Sequence, residues 1–157
     1  MTLRNHRREL LARDAQARDV VLDLLRRRYV REKQHAMRYR QHAETTLPQF
    51  RETLINLATE EEKHAELIGA KMRDLGEDLP DVVPIHVAKE DNSWSYLRTD
   101  LEEEQRCTGE LSGLPVIRRE FPEIVELLER LDTDSRSHRA RLRDMLARSV
   151  PQPLAPP

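Results

Sequence analysis

The chain has 157 residues, 38% hydrophobic and 36% charged, with four glycines and a formal net charge of -2. One compact domain with a sizeable core is expected at this length, and the near-neutral charge argues against nucleic acid as the main partner. Scarce glycine and heavy charge favour amphipathic helices over sheet, and no apolar run approaches the ~18–20 residues of a membrane span.

A first helix is expected from about Arg7 to Ala43, with Leu10, Ala17, Val21, Leu25, Ala36 and Tyr39 on one stripe. At ~1.5 Å per residue it would exceed about 50 Å, so its first turns must overhang, break away or dock elsewhere. The "TTLPQ" segment ends it, with Thr46 and Gln49 in capping-box spacing for a second helix. That helix carries Leu54, Leu57, Ala58, Ala65, Ile68, Met72 and Leu75, and Gly76 supplies its stop.

The proline-bearing stretch "EDLPDVVPIHVAKEDNS" then connects onward. Connections this long are uncommon unless the chain must cross the molecule. A third helix begins near Trp94, uses Leu97, Leu101, Thr108 and Leu111, and ends by "SGLP". Pro122 suits the first turn of a fourth, which carries Ile124, Leu128, Leu131, Leu142 and Met145. Residues 150–157 form a proline-rich tail that is expected to be disordered.

The expected fold is therefore all-α, a four-helix bundle with one long crossover between helices two and three. An up-down bundle with a decorated loop is the alternative. Residues 1–18 form a helical extension, and residues 19–149 form the bundle. The polar start "MTLRNHRRELLARD" lacks the apolar segment of a signal peptide. With Cys107 as the single cysteine, no disulfide or Cys-based metal site can form within the chain. A soluble cytoplasmic protein is expected.

Polar residues interrupt the apolar stripes. Glu32, Glu61 with His64, Glu104, and Ser135 with His138 fall on the inward faces of the four helices. Carboxylates buried from three helices at one level need a shared cation or basic partners. Oxygen donors with imidazole suit iron, manganese or zinc, and Glu61 and His64, three apart on a helix, can reach one ion together. A solvated charged face is the competing reading of "EEEKHAE", because Glu-x-x-His also occurs at Glu32–His35. His6, His42 and His86 have no partner pattern and are expected to be exposed. Cys107 is expected to serve as a small buried hydrophobe.

Glu32 and Tyr39 stand seven apart in "EKQHAMRY", "LATEEEKHAELI" holds Glu61 and His64, and "DLEEE" places Glu104. Over residues 19–148 these resemble the ferritin-like superfamily, particularly its short rubrerythrin-like members. The resemblance implies a di-iron carboxylate site with Glu32, Glu61, His64, Glu104 and His138 holding iron or manganese. It implies an oxidase or peroxidase that acts on dioxygen or peroxide and takes electrons from a separate donor protein. A homodimer is the default assembly. Tyr39 would lie beside the metal, as a hydrogen-bond donor, a radical-quenching residue or a core tyrosine.

Two positions depart from the family pattern: Leu111 stands where a second tyrosine belongs, and Ser135 where the fourth carboxylate belongs. Asp134 and Asp132 flank Ser135 on other helical faces. Water or His35 could fill the gap, one metal could bind instead of two, or Arg28 could pair with the leftover carboxylates and leave the bundle metal-free. The rival function is accordingly a metal-free interaction or dimerisation module.

Overall fold

The computed structural model describes residues 3–85, 92–106 and 115–149, the side chains of residues 3–14 and 116 apart. These form five helices and no strand: α1 (Leu3–Thr45), α2 (Pro48–Asp74), α3 (Ser93–Arg106), α4 (Pro115–Glu120) and α5 (Pro122–Arg148). No helix among the described residues is long and apolar enough to cross a membrane. Cys107, Thr108, Leu111, His86 and the 150–157 tail lie outside the described residues, as does the His6 side chain.

Two apolar clusters show the helix directions. One joins Val21, Leu24 and Leu25 of α1 to Ile68 and Met72 of α2 and to Ile124 and Leu128 of α5. The other joins Tyr39 and Ala43 to Phe50 and Leu54, to Leu97 of α3, and to Leu142 of α5. Hence α2 runs opposite to α1 and α5 runs with it. The start of α3 lies at the far end from the finish of α2.

The connection must therefore travel the length of the bundle, and its described residues 79–85 run toward that end. Leu79 lies against Gly69 and Tyr29, where a Cβ on residue 69 would meet Leu79 Cδ2 at 3.2 Å and Tyr29 Cε2 at 3.3 Å. By residue 85 the chain has reached Gln41, whose Nε2 donates to Ile85 O at 3.4 Å. Six extended residues cover about the same ~18 Å that twelve helical residues rise.

The helix ends correct one expectation. Leu47, not Thr46, is the N-cap of α2, with no side-chain cap and proline in the first turn. Pro48 removes an N–H that would otherwise need capping, so no capping box is required. Thr46 Oγ1 is buried without a hydrogen-bond partner among the described residues. At the other end Gly76 has φ +72°, Glu77 N donates to Met72 O at 3.0 Å, and Gly76 N donates to Arg73 O at 2.8 Å. This is the paired-bond stop that left-handed glycine permits.

Helix α4 was not anticipated. Six residues are too few to show a period, but Ile117 is buried in the apolar cluster of Val21, Ile68 and Ile124, the lower of the two, that of Tyr39 and Phe50 being the upper. Helix α1 is unbroken for 43 residues, and Arg18 Nη2 donates to the Leu75 carbonyl at the end of α2 at 2.7 Å. Its N-terminal turns therefore run on past the end of α2.

Candidate metal centre

Between the two apolar clusters lies a polar layer that all four long helices supply. On α2 the period of 3.6 carries the buried series Leu54, Leu57, Ala58, Glu61, His64, Ala65, Ile68 and Met72 straight through the acid and the imidazole. Glu32, Glu61, His64, Glu104 and His138 are all buried. The five residues singled out from the sequence thus meet at one level of the bundle, joined by His35.

Donor atoms gather in two groups, Glu32–Glu61–His64 and His35–Glu61–Glu104, each with its atoms within 4.8 Å of one another. Glu61 belongs to both. All three imidazoles turn Nδ1 inward. His64 Nδ1 is 3.1 Å from Glu61 Oε2 and 3.7 Å from Glu32 Oε2. His138 Nδ1 is 2.9 Å from Glu61 Oε1 and 3.6 Å from Glu104 Oε1. His35 Nδ1 is 3.7 Å and 3.5 Å from the same two oxygens. The His64 and His138 rings stack, with centroids 5.6 Å apart and planes 11° apart.

A second layer of partners holds these groups. His138 Nε2 lies 2.9 Å from Glu60 Oε2, and Glu60 is clasped by Arg141 through both terminal guanidinium nitrogens. His64 Nε2 lies 3.3 Å from Asp134 Oδ2. The Tyr39 hydroxyl donates to Glu104 Oε1 at 2.7 Å, so Tyr39 acts on the site through Glu104. Buried Arg28 donates to Glu32 through Nε, to Asp132 Oδ1 at 2.8 Å and to Ser135 Oγ at 3.4 Å.

Charge regulation follows from this geometry. Burial opposes ionisation of Glu61, yet hydrogen bonds from Glu32, His138, His35 and His64 hold it well below the usual carboxylate range. Burial likewise opposes Glu104, which His138 and His35 bring down. Glu32 is pushed up, first by burial and then by the Glu61 charge. Burial disfavours both imidazolium ions, but Glu32 and Glu61 lift His64 to about 9, and Glu104 and Glu61 lift His138 to about 10. Burial and the Glu104 charge raise Tyr39 well above its ordinary value.

Several contributors escaped sequence reasoning. His35 was expected only as a stopgap, yet it is one of the donors around Glu61; its signal was the Glu32-x-x-His35 spacing. Asp132 and Asp134 reach the layer from flanking faces because Arg28 and His64 extend to meet them. His42, expected to be exposed, is buried, with Nδ1 2.7 Å from Asp100 Oδ2 and its ring 4.4 Å from that of Tyr96. It stands three residues after Tyr39 on the same inner stripe, and Asp100 stands four before Glu104. Compared with protein-family models, curated proteins and solved structures, the chain matches none.

Proposed function

We propose that this chain is a ferritin-like metal-binding protein of the rubrerythrin-like kind, holding iron or manganese in its buried polar layer. The observation that carries the reading is Glu61, which is fully buried and belongs to both donor groups. A carboxylate placed between two sets of oxygen and nitrogen donors is suited to bridging or to ligating from the centre. Two antiparallel helix pairs joined by one long crossover have the ferritin-like connectivity.

The residues suit the ion. Carboxylate and imidazole donors match iron and manganese. His138 and His64 each turn the second ring nitrogen to a carboxylate, which fixes a ligating ring in one orientation. A bound iron would supply one-electron chemistry toward dioxygen or peroxide, with electrons from a separate donor protein. The chain's own residues do the rest. Glu60 and Arg141 lock the His138 ring, the Tyr39 hydroxyl orients Glu104 and keeps its proton, and an apolar cluster closes the layer at each end.

The test is metal content. After anaerobic reconstitution with iron(II) or manganese(II), the wild-type chain should retain metal on desalting, and the Glu61→Ala, His64→Ala variant should not. Equal metal in the two proteins would sink the reading. Oxidase or peroxidase activity is then read as dioxygen or peroxide consumption by the iron-loaded protein with a reductant.

A second reading, a metal-free bundle serving as an interaction or dimerisation module, is favoured by one observation. Arg28 and the two protonation-prone imidazoles already neutralise the buried carboxylates. In that case α1, which outruns α2, offers the surface for a partner or a second copy of the chain. Wild-type protein without metal above the variant's level, combined with a concentration-dependent dimer, would select this reading.

A further inference from the structure

Among the described residues, both halves of the polar layer hold imidazoles, but only one holds an arginine. On one side Arg28 spends three guanidinium nitrogens on Glu32, Asp132 and Ser135. A guanidinium does not lose its proton in proteins, so this charge is permanent; burial opposes it, but the charges of Glu32 and Asp132 more than offset that. A divalent ion placed on Glu32, His64 and Glu61 would have to share Glu32 with that fixed cation. Like charges drawn to one carboxylate in a poorly screened interior repel, which weakens binding on that side.

On the other side the compensating groups are imidazoles and a phenol. Glu61 and Glu104 are met by His35 Nδ1, by His138 Nδ1 and, at Glu104, by the Tyr39 hydroxyl. An imidazolium can give up its proton and turn a lone pair to a metal; an arginine cannot. Two carboxylates there match the charge of one divalent ion, and with His35 and His138 they make a four-donor set of two oxygens and two nitrogens. Ser135 completes the asymmetry. It shares the buried face of α5 with His138, three residues on, and its hydroxyl accepts from Arg28 instead of bringing a further negative charge.

We propose that the layer takes one divalent transition-metal ion, on His35, Glu61, Glu104 and His138, and that Arg28 permanently occupies the electrostatic place of a second. This rests on the metal-binding reading above, and the count of ions separates the two. The full chain, stripped of metal and titrated with manganese(II), should bind one ion per chain, with an isolated-ion paramagnetic resonance spectrum and no exchange coupling.

Glu104→Gln should weaken binding at least tenfold, whereas Glu32→Gln, on the arginine side, should change it less than threefold. Two ions per wild-type chain would overturn the one-ion proposal and leave metal binding standing. So would equal losses in Glu32→Gln and Glu104→Gln. No bound ion would overturn both. The Arg28→Gln, Ser135→Glu double variant, with folding checked by circular dichroism, should rise to two ions with an exchange-coupled spectrum. A folded double variant that stays at one ion would refute the role of Arg28. Should that variant not fold, the contrast between Glu32 and Glu104 decides.

Discussion

His138 and Glu61, 77 positions apart, meet with the imidazole Nδ1 2.9 Å from Glu61 Oε1, and neither side chain is exposed. The other ring nitrogen lies 2.9 Å from Glu60, the residue before Glu61. One imidazole of α5 is thus held between two successive acids of α2. With carboxylates at both nitrogens, the metal-free ring holds its second proton up to about pH 10. A metal taking Nδ1 would displace that inner proton and leave the Nε2 proton donating to Glu60.

Removing Glu61 should therefore hurt the metal-free fold as well as any metal binding. Glu61→Ala leaves His35, His64 and His138 facing one another around a vacant centre. Breaking a buried ion pair from one side costs about 3–5 kcal/mol. Urea unfolding at neutral pH should show a loss in that range for the alanine variant and a smaller one for Glu61→Gln, which keeps an acceptor. Wild-type stability in Glu61→Ala would refute this account of the charges.

The metal-free protein should lose stability at alkaline pH. Folding raises His64 from 6.5 to about 9 and His138 from 6.5 to about 10. The native state then holds these protons more tightly than the unfolded chain, so the contribution is complete below about 6.5 and fades as pH climbs through 9 and 10. Glu61 and Glu104 shift the opposite way, and their contribution fades as pH falls below the ordinary carboxylate value of 4.5. Glu32, shifted upward, partly offsets that acid limb. The urea midpoint should peak near about pH 5–6.5 and fall toward pH 10, and His138→Gln should flatten the alkaline limb. A wild-type midpoint unchanged from pH 6.5 to 10 would contradict it.

Tyr39→Phe removes one donor from Glu104 and leaves the ring in the upper apolar cluster. A hydrogen bond to a charged group contributes about 1.5–3 kcal/mol, and His35 and His138 remain beside Glu104, so a loss near the lower figure is expected. Metal affinity should fall less than in Glu104→Gln, because Tyr39 orients the ligand and does not replace it. Isothermal unfolding and manganese titration of the same variant check both statements.

His42 and Asp100 form a separate buried pair in the upper part of the bundle. Burial raises the Asp100 pKa and the bond to His42 partly offsets it; Asp100 Oδ1 and His42 Nε2 have no hydrogen-bond partner among the described residues. His42→Leu should destabilise by about 3 kcal/mol, the low end for a broken buried pair, because the stranded Asp100 can take up a proton. Replacing both residues with leucine should recover most of that loss. A double variant less stable than either single one would show that the pair stabilises the fold outright.

The sequence by itself determined the four long helices and the inward faces on which Glu32, Glu61, His64, Glu104 and His138 stand. A 3.6-residue period marks every turn of a long helix. A charged residue on an apolar stripe is conspicuous because unpaired burial is costly. The length of the α2–α3 connection implied that the chain returns along the bundle, since a short link could only join adjacent ends. The same reading missed α4, which is too short to carry a period, and it misplaced the cap of α2, where Pro48 made a side-chain cap unnecessary.

Only the tertiary structure decided how the polar layer divides. Spacing along one helix cannot show that Arg28 crosses to Asp132 and Ser135, that His35 faces Glu61 and Glu104, or that His42 finds Asp100. These partners lie 26 to 107 positions apart, and the long Arg28 side chain reaches Asp132 on a flanking face of α5. Helical periodicity is a local property that the chain carries wherever it folds. The pairing of buried charges is settled only when four helices close on one another and each charge must find a partner within reach.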